Sequence, residues 1–301
     1  METCLVDGRV VAFHRLDPSA RPGATPASRT ALCLHGFPDE AGSLLPVAER
    51  LVADGGFRVF VPAMPGYAPS AALLQAGPHR VAAHLLAFAD ALGLASFHVL
   101  GHDWGAVAAY TLANLAPDRV AGVAALSVPP PGVFARNLLR HPGQLLRSRY
   151  MGQFQVPGLS ERFVRRDDHA FIETLWRRWS PGFTPPPERL AAVKAALGAP
   201  GALAAALDYY RALRDPRAWV EGREVVFRRI CAPTLVMTGA DDACIAPEMF
   251  EGLAPSFLGP FDFTRVPGAG HFLPLEAPDT VAARVLGFWD THTPATAAAP
   301  A

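Results

Sequence analysis

Lysine is all but missing from this chain. Lys194 is the only one, and the 27 lysines and arginines together are balanced by 27 acids. That balance removes the basic footprint expected of a nucleic-acid binder and the polybasic surface that an anionic membrane attracts. Cysteine is scarce as well: Cys4, Cys33, Cys231 and Cys244 form no CxxC pair and no His/Cys cluster with zinc spacing. Cys33 and Cys231 lie in or beside apolar runs and are expected to be small core residues. No window approaches the ~20 apolar residues of a membrane span, and the N-terminus lacks a basic-then-apolar leader pattern. A soluble, cytoplasmic protein is the expectation.

What is present is a large apolar content, 50% of 301 residues, enough for a sizeable core. Short apolar runs alternate with helical segments through the first part of the chain. "VVAFHRL", "TALCLHGFP", "RVFVPAM", "SFHVLGHD" and "VAGVAALSVP" read as strands. "SLLPVAERLVADG", "HRVAAHLLAFADALGL" and "WGAVAAYTLANLAPDRV" read as helices. This rhythm predicts an α/β fold with a mostly parallel central sheet flanked by helices. It stops at residue 129, and until 224 only helical segments appear, broken by "PPPG", "SPGFTPPPE" and "GAPG". Strands return in "APTLVMTGADD" and "FDFTRVPGAGH", followed by the helix "DTVAARVLGFWD". The predicted organisation is a core over 1–128 and 225–290, an inserted helical cap over 129–224, and a flexible tail over 291–301. A helical block inserted at the carboxyl edge of a parallel sheet would cover the ligand crevice.

The chemistry begins at "LGHDWGAVAAY". Gly-x-Asp-x-Gly between a strand and a helix has the frame of a nucleophile elbow, in which small residues permit a sharp turn that lifts the central side chain above the sheet. The plain alternative is a βα turn in which Asp103 only caps the helix. Against it, the partners of an elbow follow in the order nucleophile, acid, histidine. Asp241 and Asp242 stand just after a strand, and His271 lies on a loop after the last one. The strand ending in "HGFP" supplies the remaining part: the N–H of Phe37, with that of Trp104, would form an oxyanion hole. His35 and His102 are expected to be structural.

"HGFP", "GHDWGA", "GADD" and "GAGHFLPLEAPD" together resemble the α/β-hydrolase-fold enzymes of the epoxide hydrolase and haloalkane dehalogenase group, over nearly the whole chain. The resemblance implies the α/β-hydrolase fold and an aspartate nucleophile. A carboxylate is already ionised near pH ~7 and suits displacement at a saturated carbon, leaving the histidine free to activate water. The family's Gly-x-x-Asp pattern aligns Gly239 with Asp242 as the triad acid, with Asp241 as the alternative. In epoxide hydrolases two cap tyrosines protonate the ring oxygen. The segment "RYMGQFQVPG" resembles the first site and selects Tyr150; "ALDYYRALRDP" resembles the second and selects Tyr210, which in a helix would share a face with Leu203, Leu207 and Leu213.

Phe37, Trp104, Tyr150 and Tyr210 are the expected substrate contacts. Haloalkane dehalogenases usually carry asparagine at the position of Phe37, and fluoroacetate dehalogenases arginine at that of Trp104, so both residues favour the epoxide. The resemblance therefore implies hydrolysis of an organic epoxide to a vicinal diol. The alternatives are dehalogenation with the same triad or, further off, ligand binding without catalysis. Substrate and water are the only partners implied; no nucleic acid, membrane, metal or organic cofactor is, and a homodimer is compatible with the sequence.

Overall fold

The structure, a computed structural model, describes residues 1–18 and 29–293. Its sheet has eight strands: β1 (Glu2–Val6), β2 (Arg9–Leu16), β3 (Thr30–Leu34), β4 (Arg58–Pro62), β5 (Phe97–His102), β6 (Val120–Leu126), β7 (Thr234–Gly239) and β8 (Phe261–Val266). They lie in the order β1-β2-β4-β3-β5-β6-β7-β8. The β1–β2 and β2–β4 pairs are antiparallel, and every pair from β4 to β8 is parallel. The central strands β5 and β7 are buried along their full length. That is why they read as unbroken apolar runs rather than alternating ones.

Helices α1 (Leu45–Ala53), α2 (Pro78–Ala91) and α3 (Trp104–Leu115) belong to the first part of the chain. Seven helices follow between β6 and β7: α4 (Pro131–Arg140), α5 (Gly143–Arg147), α6 (Arg149–Gln153), α7 (Leu159–Trp179), α8 (Pro187–Gly198), α9 (Ala202–Ala212) and α10 (Pro216–Val226). After β8 come α11 (Leu273–Glu276) and α12 (Pro278–His292). The strands alternate their side chains between two apolar layers. Leu100, Leu126, Leu235 and Met237 pack with α1 and α12, whereas Val99, Val123, Ala125 and Val236 pack with α2, α3 and the inserted helices. Among the described residues no single helix is long and apolar enough to cross a membrane.

The inserted helices are fastened to the sheet's loops by buried bonds. The Trp176 indole donates to the Pro38 carbonyl at 2.8 Å, the Tyr209 hydroxyl donates to the Pro65 carbonyl at 2.9 Å, and Arg189 pairs with Glu40. Helix α7 is broken at Arg166–His169, where three successive residues take positive φ. Its second half carries the aromatic stripe of "FIETLWRRW", and Trp176 stacks on Phe272 with centroids 3.9 Å apart.

Two expectations need correction. Cys33 is fully buried, but Cys231 is exposed: its neighbour Ile230 takes the inward position in a bridge to Phe257, which turns the cysteine out. Residues 291–293, expected in the tail, belong to the end of the last helix and its cap. Thr291 and His292 complete the end of α12, and the Thr293 hydroxyl bonds both the Trp289 carbonyl at 2.7 Å and the His98 ring at 2.8 Å. The rest of the expected tail, 294–301, lies outside the described residues.

Gly105 marks where α3 presses on the sheet. A Cβ there would be driven into the Leu34 carbonyl and would stand 2.9 Å from that of His35, both backbone atoms that cannot swing aside. Gly105→Ala is therefore expected to destabilise the fold by about 1–3 kcal/mol and to lower Tm by several degrees in a thermal melt. An unchanged Tm would show that α3 has slack at this turn.

Candidate active site

Asp103 sits between β5 and α3 with φ 52° and ψ −118°. Positive φ costs a non-glycine residue about 1–3 kcal/mol, which the surrounding packing has to offset. The turn points the carboxylate out of the carboxyl end of the sheet, below the inserted helices. Oδ1 accepts the Phe37 N–H at 2.7 Å, and Oδ2 lies 3.6 Å from His271 Nε2. The Trp104 backbone nitrogen lies close by. A Cβ built on Gly36 would touch Asp103 Oδ1 and stand 2.6 Å from Trp104 N, so one small volume is shared by all three.

His271 lies between β8 and α11 and is fully buried. Its Nδ1 meets Asp242 Oδ2 at 2.9 Å, while Asp242 Oδ1 accepts the N–H groups of Cys244 at 2.7 Å and Ile245 at 2.9 Å. Asp241 is exposed and has no part in this network. Of the two candidate acids, the buried one meets the histidine.

The backbone of His271 is fixed on both sides. Its carbonyl accepts Ser127 Oγ at 2.7 Å and His102 Nε2 at 2.8 Å, and its N–H donates to Ser180 Oγ at 2.8 Å. Ser180 donates in turn to Glu276 at 2.6 Å, and Glu276 also accepts the N–H groups of Gly270 and Phe272. Ser180 and Glu276 were not predicted. Glu276 lies inside "GHFLPLEAPD", five residues past the histidine, but nothing in "WSPG" marks Ser180, because its partners are about ninety residues away.

The electrostatics follow from burial and from this network. Burial works against a charged His271, but the carboxylates of Asp242 and Asp103 outweigh it and raise the imidazole to about 10. His102 goes the other way, down to about 3, through burial and the neighbouring His271. A neutral His102 keeps one ring N–H, the one donated to the His271 carbonyl. His35 is lowered to about 4 by burial and accepts the Met64 N–H at 2.9 Å, a structural role like the one expected. Burial raises the hydroxyls of Tyr150 and Tyr210 well above the usual phenol range, so both keep their protons.

A cavity of about 420 Å³ opens above Asp103, lined by Trp104, Tyr150 and Tyr210 and by apolar side chains such as Val107, Leu138 and Ile245. Among the described residues the Tyr210 hydroxyl has no hydrogen-bond partner, and the Tyr150 hydroxyl has Cys244 Sγ at 3.8 Å. Phe37, expected among the substrate contacts, does not line this cavity. Its ring is fully buried against Tyr210 and Phe154, and what it offers the site is its backbone N–H. A larger hollow of about 920 Å³ lies on the inserted helices beside Lys194 and Glu173 and contains no residue of the triad. Among the described residues no group of three or more His, Cys, Asp or Glu is placed to hold a metal ion.

The chain belongs to the α/β-hydrolase fold family, whose model matches residues 32–278. It is a hydrolase, and several of the relatives it resembles are named epoxide hydrolases. It is 30% identical to epoxide hydrolase A of Mycobacterium tuberculosis (strain ATCC 25618 / H37Rv), across 94% of this chain and 96% of that protein. It is 27% identical to epoxide hydrolase 4 of Mus musculus, across 87% and 73% of the two chains. The crystal structure of epoxide hydrolase A from Mycobacterium thermoresistibile matches with a TM-score of 0.79 at 25% identity, covering 95% of this chain and 97% of that one.

The raised His271 makes stability depend on pH. An unfolded imidazole releases its proton near about 6.5, whereas the folded one holds it to about 10. The stabilisation by the charged ring is thus complete below about pH 6.5 and is lost as pH rises through about 10. The stability difference between wild type and His271→Gln should shrink across that window in denaturant melts. A flat difference would show that the resting imidazole is neutral.

Proposed function

We propose that the protein hydrolyses an organic epoxide to a vicinal diol through an alkyl ester on Asp103. The observation that carries this reading is a pair of buried polar atoms at Asp103 that accept or donate no hydrogen bond among the described residues: Tyr210 Oη, in the cavity with Asp103, and His271 Nε2, 3.6 Å from its carboxylate. Unpartnered buried polar groups are costly unless a ligand or water completes them. A protonated phenol suits an epoxide oxygen, and an imidazole nitrogen suits a water.

In this reading Asp103 Oδ2, the oxygen not held by Phe37, attacks a ring carbon. The carbon–oxygen bond breaks, and its electron pair goes to the epoxide oxygen, which takes a proton from Tyr210, with Tyr150 as the second phenol contact. Esterification removes the charge on Asp103 that helped hold the proton on His271. The imidazole then yields that proton to the tyrosinate and becomes a base. Neutral Nε2 takes a proton from water, and hydroxide adds to the ester carbonyl. Oδ1 becomes the oxyanion, already seated against the Phe37 N–H with that of Trp104 beside it. Collapse expels the diol's second oxygen, which takes the proton left on the Asp103 carboxyl. Asp242 orients His271 and stabilises its charged form throughout. A halide would call for N–H donors, and the buried Phe37 ring supplies none where such enzymes place an asparagine.

His271→Gln should form the ester but not release it. Incubated separately with pooled epoxides and pooled haloalkanes, it should gain an epoxide-sized mass that peptide mapping places on Asp103. An adduct from haloalkanes alone would replace this reading with dehalogenation. Tyr210→Phe should slow ester formation by about 10²-fold and leave breakdown of a preformed ester nearly unchanged, as read by single-turnover kinetics.

A further inference from the structure

Helix α5, "GQLLR", is turned the unexpected way round. Gln144 is 1% exposed, while Leu145 and Leu146 beside it are 56% and 70% exposed. Burying an amide and leaving leucines in water is unfavourable unless the amide is fully bonded, and here it is. Gln144 Nε2 donates to the Cys244 carbonyl at 2.8 Å and to Ser148 Oγ at 2.9 Å, and Oε1 accepts the Ala246 N–H at 2.9 Å. Cys244 and Ala246 belong to the loop whose N–H groups hold Asp242. Arg147, one turn on, donates to the Ala243 carbonyl of the same loop at 3.0 Å. Tyr150 then follows, with its hydroxyl against Cys244 Sγ.

The rings of the two tyrosines meet edge-on, with centroids 5.8 Å apart, but their helices hang from different supports. Tyr210 is placed by its neighbour Tyr209, bonded to the Pro65 carbonyl after β4. Tyr150 is placed by a strap from Gln144 to the loop of the triad acid. We propose that Gln144 is a positioning residue that sets where the Tyr150 hydroxyl stands relative to Asp103, His271 and Asp242. It touches no reacting atom and acts through Tyr150, so the proposal rests on the epoxide reading above for its kinetic effect but not for its structural one.

The test is a double-mutant cycle in the full chain, measuring the rate of ester formation in the His271→Gln background. Gln144→Leu should slow ester formation about tenfold, the scale of one or two buried hydrogen bonds. With Tyr150→Phe already present it should add almost nothing, and with Tyr210→Phe it should cost its full factor. Equal slowing in both backgrounds would overturn the proposal and leave Gln144 a general structural residue. Gln144→Glu, which keeps the acceptor for the Ala246 N–H and loses the donors, should fall between and covers the case in which the leucine variant folds poorly.

A second readout needs no substrate. In protein labelled with ¹³C at the tyrosine ring carbon bearing the hydroxyl, Gln144→Glu should move the Tyr150 signal, and move it further than that of Tyr210, whose ring it meets edge-on. An unmoved Tyr150 signal overturns the proposal. If the His271→Gln parent gains no adduct from epoxides, the reaction assigned above fails, and this spectrum still decides the role of Gln144.

Discussion

One aspartate held in a backbone conformation that aspartate resists is what the rest of the site is built around. At φ 52° the turn at Asp103 persists because β5 is buried on both faces behind it and α3 is pressed against β3 in front. Relaxing the turn would separate the carboxylate from the Phe37 N–H, and the Trp104 N–H would leave the same volume. The elbow thus fixes two things with one constraint: where the carboxylate points and where its Oδ1 rests. In the proposed reaction that second feature has value only after the ester has formed, when the same oxygen must carry negative charge.

The histidine is held differently, by its backbone. Four groups from four parts of the chain close on residue 271: Ser127 and His102 on its carbonyl, Ser180 on its N–H, and Asp242 on its ring. Ser127 follows β6, His102 ends β5, Asp242 follows β7, and Ser180 follows α7. The parallel order β5-β6-β7 brings the first three together, since strands running the same way end on the same side. Only Ser180 has to be delivered by the inserted helices, and the stacking of Trp176 on Phe272 sets it there.

This division explains what could be read from the sequence. The fold, the elbow and the position of His271 are written within a few residues of strand ends, where local turn chemistry leaves a signature, whereas the preference for Asp242 over Asp241 came from the family's Gly-x-x-Asp pattern. Tyr150 came from resemblance alone and Tyr210 from resemblance with partial support from helical periodicity, and both line one cavity. Gln144 and Ser180 left no such mark. Each is an ordinary polar residue whose meaning lies in partners across the fold, as far as from 144 to 246. Cys231 and Phe37 misled for a related reason. An apolar neighbourhood in sequence says that a segment is buried, but not which of two adjacent side chains faces in, nor whether a buried ring reaches the cavity or only supports it.

Charge finally explains why an aspartate elbow needs a histidine between two carboxylates. A serine elbow asks its histidine to be neutral at the start, since the nucleophile must lose a proton. In the proposed reaction the nucleophile gives up no proton, and its carboxylate is one of the two that load His271 with one. In that scheme the base is blocked while Asp103 is free and released when Asp103 is esterified. Water activation would then be tied to the presence of the ester without any moving part. The neutral His102 behind it preserves this arrangement, because a second positive ring 5.1 Å away would cancel much of what the carboxylates provide. The order of the proposed steps follows from the nucleophile's own charge, and a serine at position 103 would remove it.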